Sequence, residues 1–382
     1  MSFKSLSMKT AWLVFVLSGI SPNFSADESS PYSFEAVYTA DYFENIDGGV
    51  INGSAYMDNF DVFFDIDAEK LWGINGATFY LHILHNNSST FSDLVGDAQV
   101  VSNIDNTSVI RLYEMWWEQN TGNHSIKFGL YDLNSEFDAI EPASLFLNSS
   151  HGIGADYSQS GENGPSIFPT TSLTIRYSYQ LNDDFQIQGA ILDGSSGDLD
   201  DPRKNTIDFD IDDLLIALEA NYTINNFRFG FGTWNYTKES EHLDGHEAEN
   251  NSGFYGIISH EFLTSDKDNH SLTGWLRIGS ANDDINQFDS YIGTGIVLTN
   301  FISSRPDDSI GFAIAQARNS DKYRALNVGS SSNETVFEVT YSASLNEYLT
   351  IQPDIQYIKN PGTDYSIDDA LVAGIRFELT IL

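Results

Sequence analysis

The chain has 382 residues and no cysteine, which excludes a disulfide framework and thiolate metal sites. Its 55 acidic side chains outnumber the 18 basic ones, and the formal net charge is −37. Binding to nucleic acid or to an anionic surface requires clustered lysine and arginine, so this charge argues against both. The acidic side chains either form a surface suited to a salty medium or attract cations, including Ca²⁺, at the mouth of a pore.

The first 26 residues have the features of a secretory signal peptide. A basic start with Lys4 and Lys9 precedes the short apolar segment Ala11–Ile20, and the small pair Ser25-Ala26 precedes Asp27. The apolar segment is too short for a transmembrane helix. We therefore expect a signal peptide over residues 1–26, followed by a single domain over residues 27–382.

The rest of the chain contains repeated segments in which apolar and polar side chains alternate, and we count about sixteen of them, an even number typical of bacterial outer-membrane barrels. In chain order, the clearest are 126–130, 173–179, 227–231, 337–343 and 371–381. In a β-strand, this alternation produces one apolar face and one polar face. A soluble sandwich has the same pattern, so the alternation alone does not decide which face is buried.

The connections between these segments alternate in length. Tight turns at 182–183, 225–226 and 346–347 are separated by long polar stretches, namely Asn86–Thr107, Asp132–Thr170, Asp193–Asp212, Thr237–Asn251 and Asn319–Asn333. A membrane barrel with both termini inside has short periplasmic turns and long outer loops, whereas a sandwich gives no reason for this alternation. The sequence therefore predicts an all-β protein, a transmembrane antiparallel β-barrel of about sixteen strands with short periplasmic turns and long extracellular loops.

Two further features accompany this pattern. Aromatic side chains lie near the ends of segments, as in the girdles that barrels place at the lipid headgroups; they include Tyr32, Trp116, Tyr131, Tyr177, Tyr222, Trp234, Tyr236 and Tyr357. The longest polar stretch, Asp132–Thr170, is the third outer loop and contains the apolar piece Pro142–Leu147. An apolar patch should pack on a surface, and the wall of the lumen is the one available.

Three stretches resemble the carbohydrate-selective porins, the OprB-like family. They are Leu349–Gly362 (LTIQPDIQYIKNPG) followed by Asp369–Phe377, Leu112–Gln119 followed by Phe128–Asp132, and Phe146–Ser150 with Asn163–Ser166 and Pro169. The resemblance covers essentially the whole chain after the leader. It implies a sixteen-stranded barrel in the outer membrane of a Gram-negative bacterium, passive diffusion of glucose-like sugars and an arginine-lined constriction. The implied partners are small sugars, outer-membrane lipid and lipopolysaccharide, and the assembly machinery, for a monomer or homotrimer without cofactors.

The inward-facing phase of the strands selects the candidate pore-lining residues. A lipid-facing arginine at membrane depth costs about 2–4 kcal/mol, so arginines in the middle of strands should point into the lumen. Tryptophan offers a flat face for a sugar ring, and both Trp275 and Trp234 share the inward phase. The predicted substrate-binding set is Arg176, Arg228, Arg277, Arg376, Arg111, Glu114, Glu338, Trp275 and Trp234. An inward arginine could equally balance nearby carboxylates, and for Trp234 an anchor at the membrane interface is favoured over a sugar platform.

The sequence gives no sign of an enzyme or a metal site. It contains no GxSxG elbow, HExxH or phosphate-binding loop. His242 and His246 lie among glutamates that could hold a metal, but a solvated acidic loop explains them better, and we predict no metal. Three functions are compatible with the barrel: a sugar-selective porin, a general or cation-preferring diffusion porin, and an adhesion barrel whose acidic loops bind partners.

Overall fold

The computed structural model describes residues 30–88, 90–198, 201, 203–204, 207, 209–264 and 270–381. In these residues no helix has both the length and the apolar character needed to cross a membrane. The signal peptide predicted for residues 1–26 lies outside the described residues, so it stays a prediction, as does the single domain from residue 27.

Sixteen antiparallel strands in the described part of the chain form one closed barrel. Each strand pairs with its neighbours in sequence, and the first strand closes the barrel by pairing with the last. The strands are β1 (Tyr32–Gly49), β2 (Gly53–Asp67), β3 (Ala77–Asn87), β4 (Val109–Thr121), β5 (His124–Tyr131), β6 (Ser172–Asn182), β7 (Phe185–Asp193), β8 (Leu214–Ile224), β9 (Phe227–Glu241), β10 (Ala248–Thr264), β11 (Ser271–Ala281), β12 (Phe288–Thr299), β13 (Ser309–Asn319), β14 (Asn333–Asn346), β15 (Leu349–Lys359) and β16 (Asp368–Thr380).

Short helices occur only in the connections of this described part. They are α1 (Ala68–Trp72), α2 (Ser92–Val95), α3 (Ala155–Ser158) and α4 (Asp321–Leu326), with 3-10 turns at Leu133–Ser135, Glu141–Leu145, Ser149–His151 and Pro361–Thr363. At the end of the barrel that holds both termini, two-residue turns join β4 to β5, β6 to β7, β8 to β9 and β14 to β15. The long connections lie at the opposite end, as predicted; we call the one between β3 and β4 loop L2 and the one between β5 and β6 loop L3.

One predicted loop is much shorter than the sequence indicated. The polar stretch Thr237–Asn251 was expected to be a loop, but β9 continues to Glu241 and β10 begins at Ala248. The two strands remain paired there, with Ala248 opposite Glu241 and Glu249 opposite Ser240. Strand ends above the membrane contact water on both faces, so the apolar–polar alternation that marks a membrane strand disappears although the backbone pairing continues.

The barrel is inverted relative to a soluble protein, with its apolar side chains outside. Leu218, Phe128 and Phe231 are more than half exposed on the outer wall, while charged side chains such as Arg277 and Glu338 are buried inside. Four of the aromatics assigned to the girdles face the lumen instead, because their strand phase points inward; they are Trp116, Tyr131, Trp234 and Tyr236.

A β-bulge in β4 explains why its faces are hard to assign from sequence. His82 of β3 pairs with Glu114, but the next residue, Ile83, pairs with Leu112. Tyr113 is therefore the extra residue, and Tyr113 and Glu114 both end up buried on the inner side. A bulge of this kind re-aims side chains, and here it adds an aromatic ring and a carboxylate to the same part of the lumen.

Candidate channel and its constriction

Loop L3 folds into the lumen and packs on the inward faces of β11–β14, which we call the covered wall. The seat for the loop consists of small residues on β13, because Gly311, Ala313 and Ala315 alternate along its inner face and the two alanines are fully buried. A Cβ atom placed on Gly311 would lie 2.6 Å from the Phe146 ring and 2.9 Å from Leu145. The apolar piece Pro142–Leu147 thus packs on the lumen wall, as the sequence predicted.

Arg277 of β11 holds two separate points of L3. Its Nη2 donates to Asp138 Oδ2 at 2.7 Å and its Nε donates to Asp138 Oδ1 at 3.1 Å, while Nη1 donates to Asp156. All three side chains are at most 1% exposed. A buried guanidinium between two carboxylates satisfies charges that would otherwise be costly inside the protein. Arg277 therefore positions L3 and has no surface left for a solute.

Glu338 of β14 accepts hydrogen bonds from the backbone of L3. The amides of Leu147 and Asn148 donate to its two carboxylate oxygens at 2.6 and 3.1 Å. Gln352 of β15 adds a third contact by donating to the carbonyl oxygen of Leu145 at 2.6 Å. Both oxygens of the Glu338 carboxyl group thus accept backbone hydrogen bonds, so Glu338 is a main attachment point for the apolar part of L3.

A third attachment lies at the start of L3. Lys127 of β5 donates to Glu136 at 2.6 Å, and Arg176 of β6 donates to Glu136 at 2.9 Å and to Glu118 at 2.8 Å. Burial alone would raise the pKa of the Glu136 carboxyl, but the positive charges of Lys127 and Arg176 outweigh burial and lower this pKa to about 2. The loop acid is therefore ionised at any physiological pH.

The other three predicted arginines also face inward, and two of them hold a neighbouring strand or a loop. Arg376 of β16 pairs with Asp41 of β1 at 2.7 and 2.8 Å and donates to Asn103 of L2 at 2.7 Å. Arg228 of β9 donates to the carbonyl oxygen of Ala139 in L3 at 2.7 Å. Arg111 faces inward on β4 and is 4% exposed. The inward direction predicted for these arginines agrees with the structure, whereas contact with a passing solute does not follow from it.

The two predicted stacking platforms are covered by L3. Trp234 stacks on Tyr157 of the loop with ring centroids 4.9 Å apart, and Trp275 lies beside Phe146 and His151. The exposed fractions of Trp234 and Trp275 are 1% and 4%. Their assignment as sugar platforms is therefore corrected: the same inward phase that suggested a sugar contact places them under the loop.

An open cavity of about 340 Å³ lies between L3 and the opposite side of the barrel. We call that side, formed by the inward faces of β16 and β1–β4, the open wall. Its aromatic side chains form a connected patch, with Phe63 and His82 at 4.4 Å and Tyr113 and Phe168 of L3 at 6.4 Å between ring centroids. Phe63 and Phe168 are only partly buried, so they offer ring faces to the cavity.

Carboxylates and hydroxyls surround these rings. His82 contacts Asp61 at 2.7 Å and Glu114 at 3.8 Å. Tyr113 donates its hydroxyl hydrogen to Asp132 at 2.6 Å. Rings for the apolar face of a sugar and oxygens for its hydroxyl groups therefore occur together, as weak recognition of a carbohydrate requires.

Of the nine residues predicted to line the pore, only Glu114 borders this cavity. Six of the others are buried against L2 or L3, so their expected pore-lining position is corrected; they are Arg176, Arg277, Arg376, Glu338, Trp275 and Trp234. Arg111 and Arg228 face inward without bordering this cavity, and their pore-lining role stays a prediction. Sequence reasoning missed Phe63, Tyr80, His82, Tyr113 and Phe168. A usable signal existed in β3, where Tyr80 and His82 alternate with Leu81 and Ile83.

One group in the described residues has metal-ligating side chains close together, at the outer mouth. His242, Glu249 and Asp284 place their ligand atoms within 4.8 Å of one another. Lys322 of α4 lies in the same group, 2.6 Å from Asp284 and 3.3 Å from the Nδ1 atom of His242. The ammonium of Lys322 thus already pairs with Asp284 and contacts His242, and it links the outer loops.

Comparisons with known proteins agree with this architecture. The family model for the carbohydrate-selective porins of the OprB family matches residues 52–381. Porin B of Pseudomonas aeruginosa is 22% identical over 91% of this chain and 87% of its own length. The high-pH structure of Pseudomonas putida OprB is 19% identical and superimposes with a TM-score of 0.80 over 92% of this chain and 94% of that one.

A more distant likeness shows the same fold. The outer-membrane channel DcaP of Acinetobacter baumannii is 9% identical, with a TM-score of 0.56 over 92% of this chain and 97% of that one. The family match covers most of the chain, and the sixteen-stranded barrel, the loop in the lumen and the cavity beside it are features of a channel. The chain therefore belongs to the OprB family of carbohydrate-selective porins and is a porin of the Gram-negative outer membrane.

Proposed function

We propose that this porin carries small, glucose-sized carbohydrates by passive diffusion, and that they pass between L3 and the open wall. The observation that carries this proposal is the aromatic patch formed by Phe63, Tyr113 and Phe168, which places a partly exposed ring on each side of the cavity between L3 and the open wall. A pyranose presents an apolar face that packs on such rings, while its hydroxyls exchange water for the surrounding oxygens.

The contacts on this route are few, and this suits transport. A channel must bind its solute strongly enough to admit it and weakly enough to release it. The cavity offers ring faces from Phe63 and Phe168 and acceptors such as Asp132, without enclosing the solute on all sides. Passive diffusion needs no energy source and no catalytic group, in agreement with a channel rather than an enzyme.

Proteoliposome uptake tests this function directly. We expect glucose to enter faster than tetraethylene glycol, a neutral solute of similar mass without the ring and hydroxyl pattern of a sugar. In planar bilayers, glucose should partly block the KCl current. If the two solutes enter at equal rates and glucose leaves the current unchanged, the protein is a general porin and the sugar-selective function is wrong.

A pair of variants tests the route. Phe63→Ala and Phe168→Ala should each weaken glucose block by about fivefold, because an aromatic contact contributes about 1 kcal/mol beyond simple burial. Tyr365→Ala is the matched control, since Tyr365 is 68% exposed in the connection between β15 and β16 and lies outside the cavity. Equal glucose block in all three variants would contradict a route along the open wall.

A further inference from the structure

The charged side chains that border the cavity are nearly all acidic. Among the described residues that border the cavity there is no lysine or arginine, but there are five carboxylates: Asp61, Asp105, Glu114, Asp132 and Glu378. Glu35 of β1 and Asp65 of β2 extend the same inward phase beyond Val37 and Phe63, towards the end of the barrel that holds the termini. An acidic track thus runs from the constriction to the periplasmic exit.

The basic side chains nearest this track are mostly bound by other carboxylates, and Arg111 of β4 is 4% exposed and does not border the cavity. Arg277 is bound by Asp138 and Asp156, and Lys127 and Arg176 by Glu136. Arg376 is bound by Asp41. Each of these paired cations is at most 6% exposed and already has an acidic partner, so it adds little positive potential to the cavity.

His82 is the basic group that borders the cavity, and its imidazole contacts a carboxylate on each side of the ring. It lies between Asp61 and Glu114, at 2.7 and 3.8 Å. Even when this one imidazole is protonated, the carboxylates on the cavity wall outnumber it. Asp132 and Glu378 are only partly buried and face the space that a solute must cross.

We propose that the open wall favours positively charged carbohydrates, that is, protonated amino sugars, over neutral sugars and disfavours anionic ones. This inference rests on the proposed function, because it assigns a charge class to solutes of the same route. An ammonium group on a pyranose can contact an aromatic face by a cation–π interaction and a carboxylate by Coulomb attraction while its ring packs on Phe63 or Phe168. A narrow passage lined by one sign of charge also concentrates solutes of the opposite sign.

The test compares four solutes in the intact porin: glucosamine, glucose, glucuronate and tetraethylene glycol. Uptake of labelled solute into proteoliposomes is measured at zero membrane potential, in about 10 mM and in about 1 M KCl, for which the Debye lengths are about 30 and 3 Å. At low salt, glucosamine should enter about fivefold faster than glucose, the Boltzmann factor for one unit charge pair about 4 Å apart in water. Glucuronate should be slower than glucose, and high salt should remove most of both differences.

A double variant tests whether the track causes this preference. Glu378→Gln with Asp65→Asn removes two charges from the track and should lower the glucosamine-to-glucose ratio clearly below the wild-type value. Glu347→Gln with Asp183→Asn is the control, because both residues are exposed in periplasmic turns outside the cavity. It should keep the wild-type ratio.

The outcomes separate this inference from the proposed function. If glucose enters faster than tetraethylene glycol but glucosamine and glucose enter the wild-type channel equally, the charge preference is wrong and the sugar route stands. If glucose has no advantage but glucosamine and K⁺ do, the channel selects by charge alone and the sugar route is wrong. A fivefold ratio that survives 1 M KCl, or that survives the double variant in a folded barrel, also overturns the acidic track as its cause.

Discussion

The covered wall and the open wall are built from strands of the same kind, yet one inner face holds L3 and the other faces the cavity. On the covered wall, Gly311 and its alanine neighbours make room for L3, and Arg277 and Glu338 hold the loop. On the open wall, Phe63 and the nearby carboxylates face the cavity. An inward charged residue in this barrel therefore holds a loop where an acid or an amide of that loop faces it. It lines the channel where no loop covers it.

The largest expected effect comes from Arg277. Arg277→Ala leaves Asp138 and Asp156 buried without their cation, and breaking such a buried pair costs about 3–5 kcal/mol. We expect L3 to detach, single-channel conductance to rise several-fold and glucose block to disappear. Arg324→Ala on α4 is the control, because Arg324 is exposed and contacts only Asp321 among the ion pairs given by the structure.

Arg277→Lys sharpens the same comparison. Lysine keeps the positive charge but lacks the planar fork that reaches both aspartates, so we expect a conductance between those of wild type and Arg277→Ala. Wild-type conductance in Arg277→Ala, with the barrel folded, would show that the other attachments hold L3 without Arg277.

Glu338 should have a smaller effect, because it contributes hydrogen bonds rather than the only counter-charge of a buried group. Glu338→Ala removes acceptors for the amides of Leu147 and Asn148, at about 0.5–1.5 kcal/mol for each hydrogen bond. Hydrogen exchange of these two amides should accelerate, and the open-channel current should become noisier. Glu338→Gln, which keeps one carbonyl acceptor, should protect one amide better than the other; unchanged exchange of both would remove Glu338 from the attachment.

The smallest expected effect concerns pH. The pKa of Glu136 in the folded protein, about 2, lies below the value of about 4.3 for an unfolded glutamate. Its contribution to stability is therefore fully present above the unfolded value and is lost only as the pH falls through about 2. In the wild type, the contact of Glu136 with Lys127 and Arg176 should persist between pH 7 and 4, so its loss should not change the conductance in this range. Glu136→Gln should loosen the start of L3 at every pH. A wild-type opening near pH 4.5 that is missing in Glu136→Gln would contradict this.

The sequence carried enough information for the barrel but not for its interior. Alternation along a strand identifies its two faces, and the tight turn at 225–226 identifies the periplasmic end, because both are local properties. The partners of an inward residue are not local. Arg277 and Asp138 are 139 residues apart, and nothing in the irregular backbone of L3 indicates which acid will face which strand.

The aromatic patch was missed for a related reason. The bulge at Tyr113 shifts the phase of β4. The alternation of apolar and polar residues therefore does not identify the inward face at Tyr113 and Glu114, the two residues of β4 that border the cavity. Phe168 belongs to L3 and has no strand phase at all. The sequence signal for such a patch is therefore limited to β2 and β3, where Phe63, Tyr80 and His82 keep a regular inward phase.

The pair formed by Asp41 and Arg376 has a consequence for how the barrel is made. The two residues face each other across the seam between β1 and β16, so one is synthesised near the beginning of the chain and the other near its end. L2 also relies on this pair, because Ser102 donates to Asp41 and Arg376 donates to Asn103. L2 can thus reach its final position only after β16 has paired with β1. A correctly placed L2 beside the channel therefore indicates that the barrel has closed.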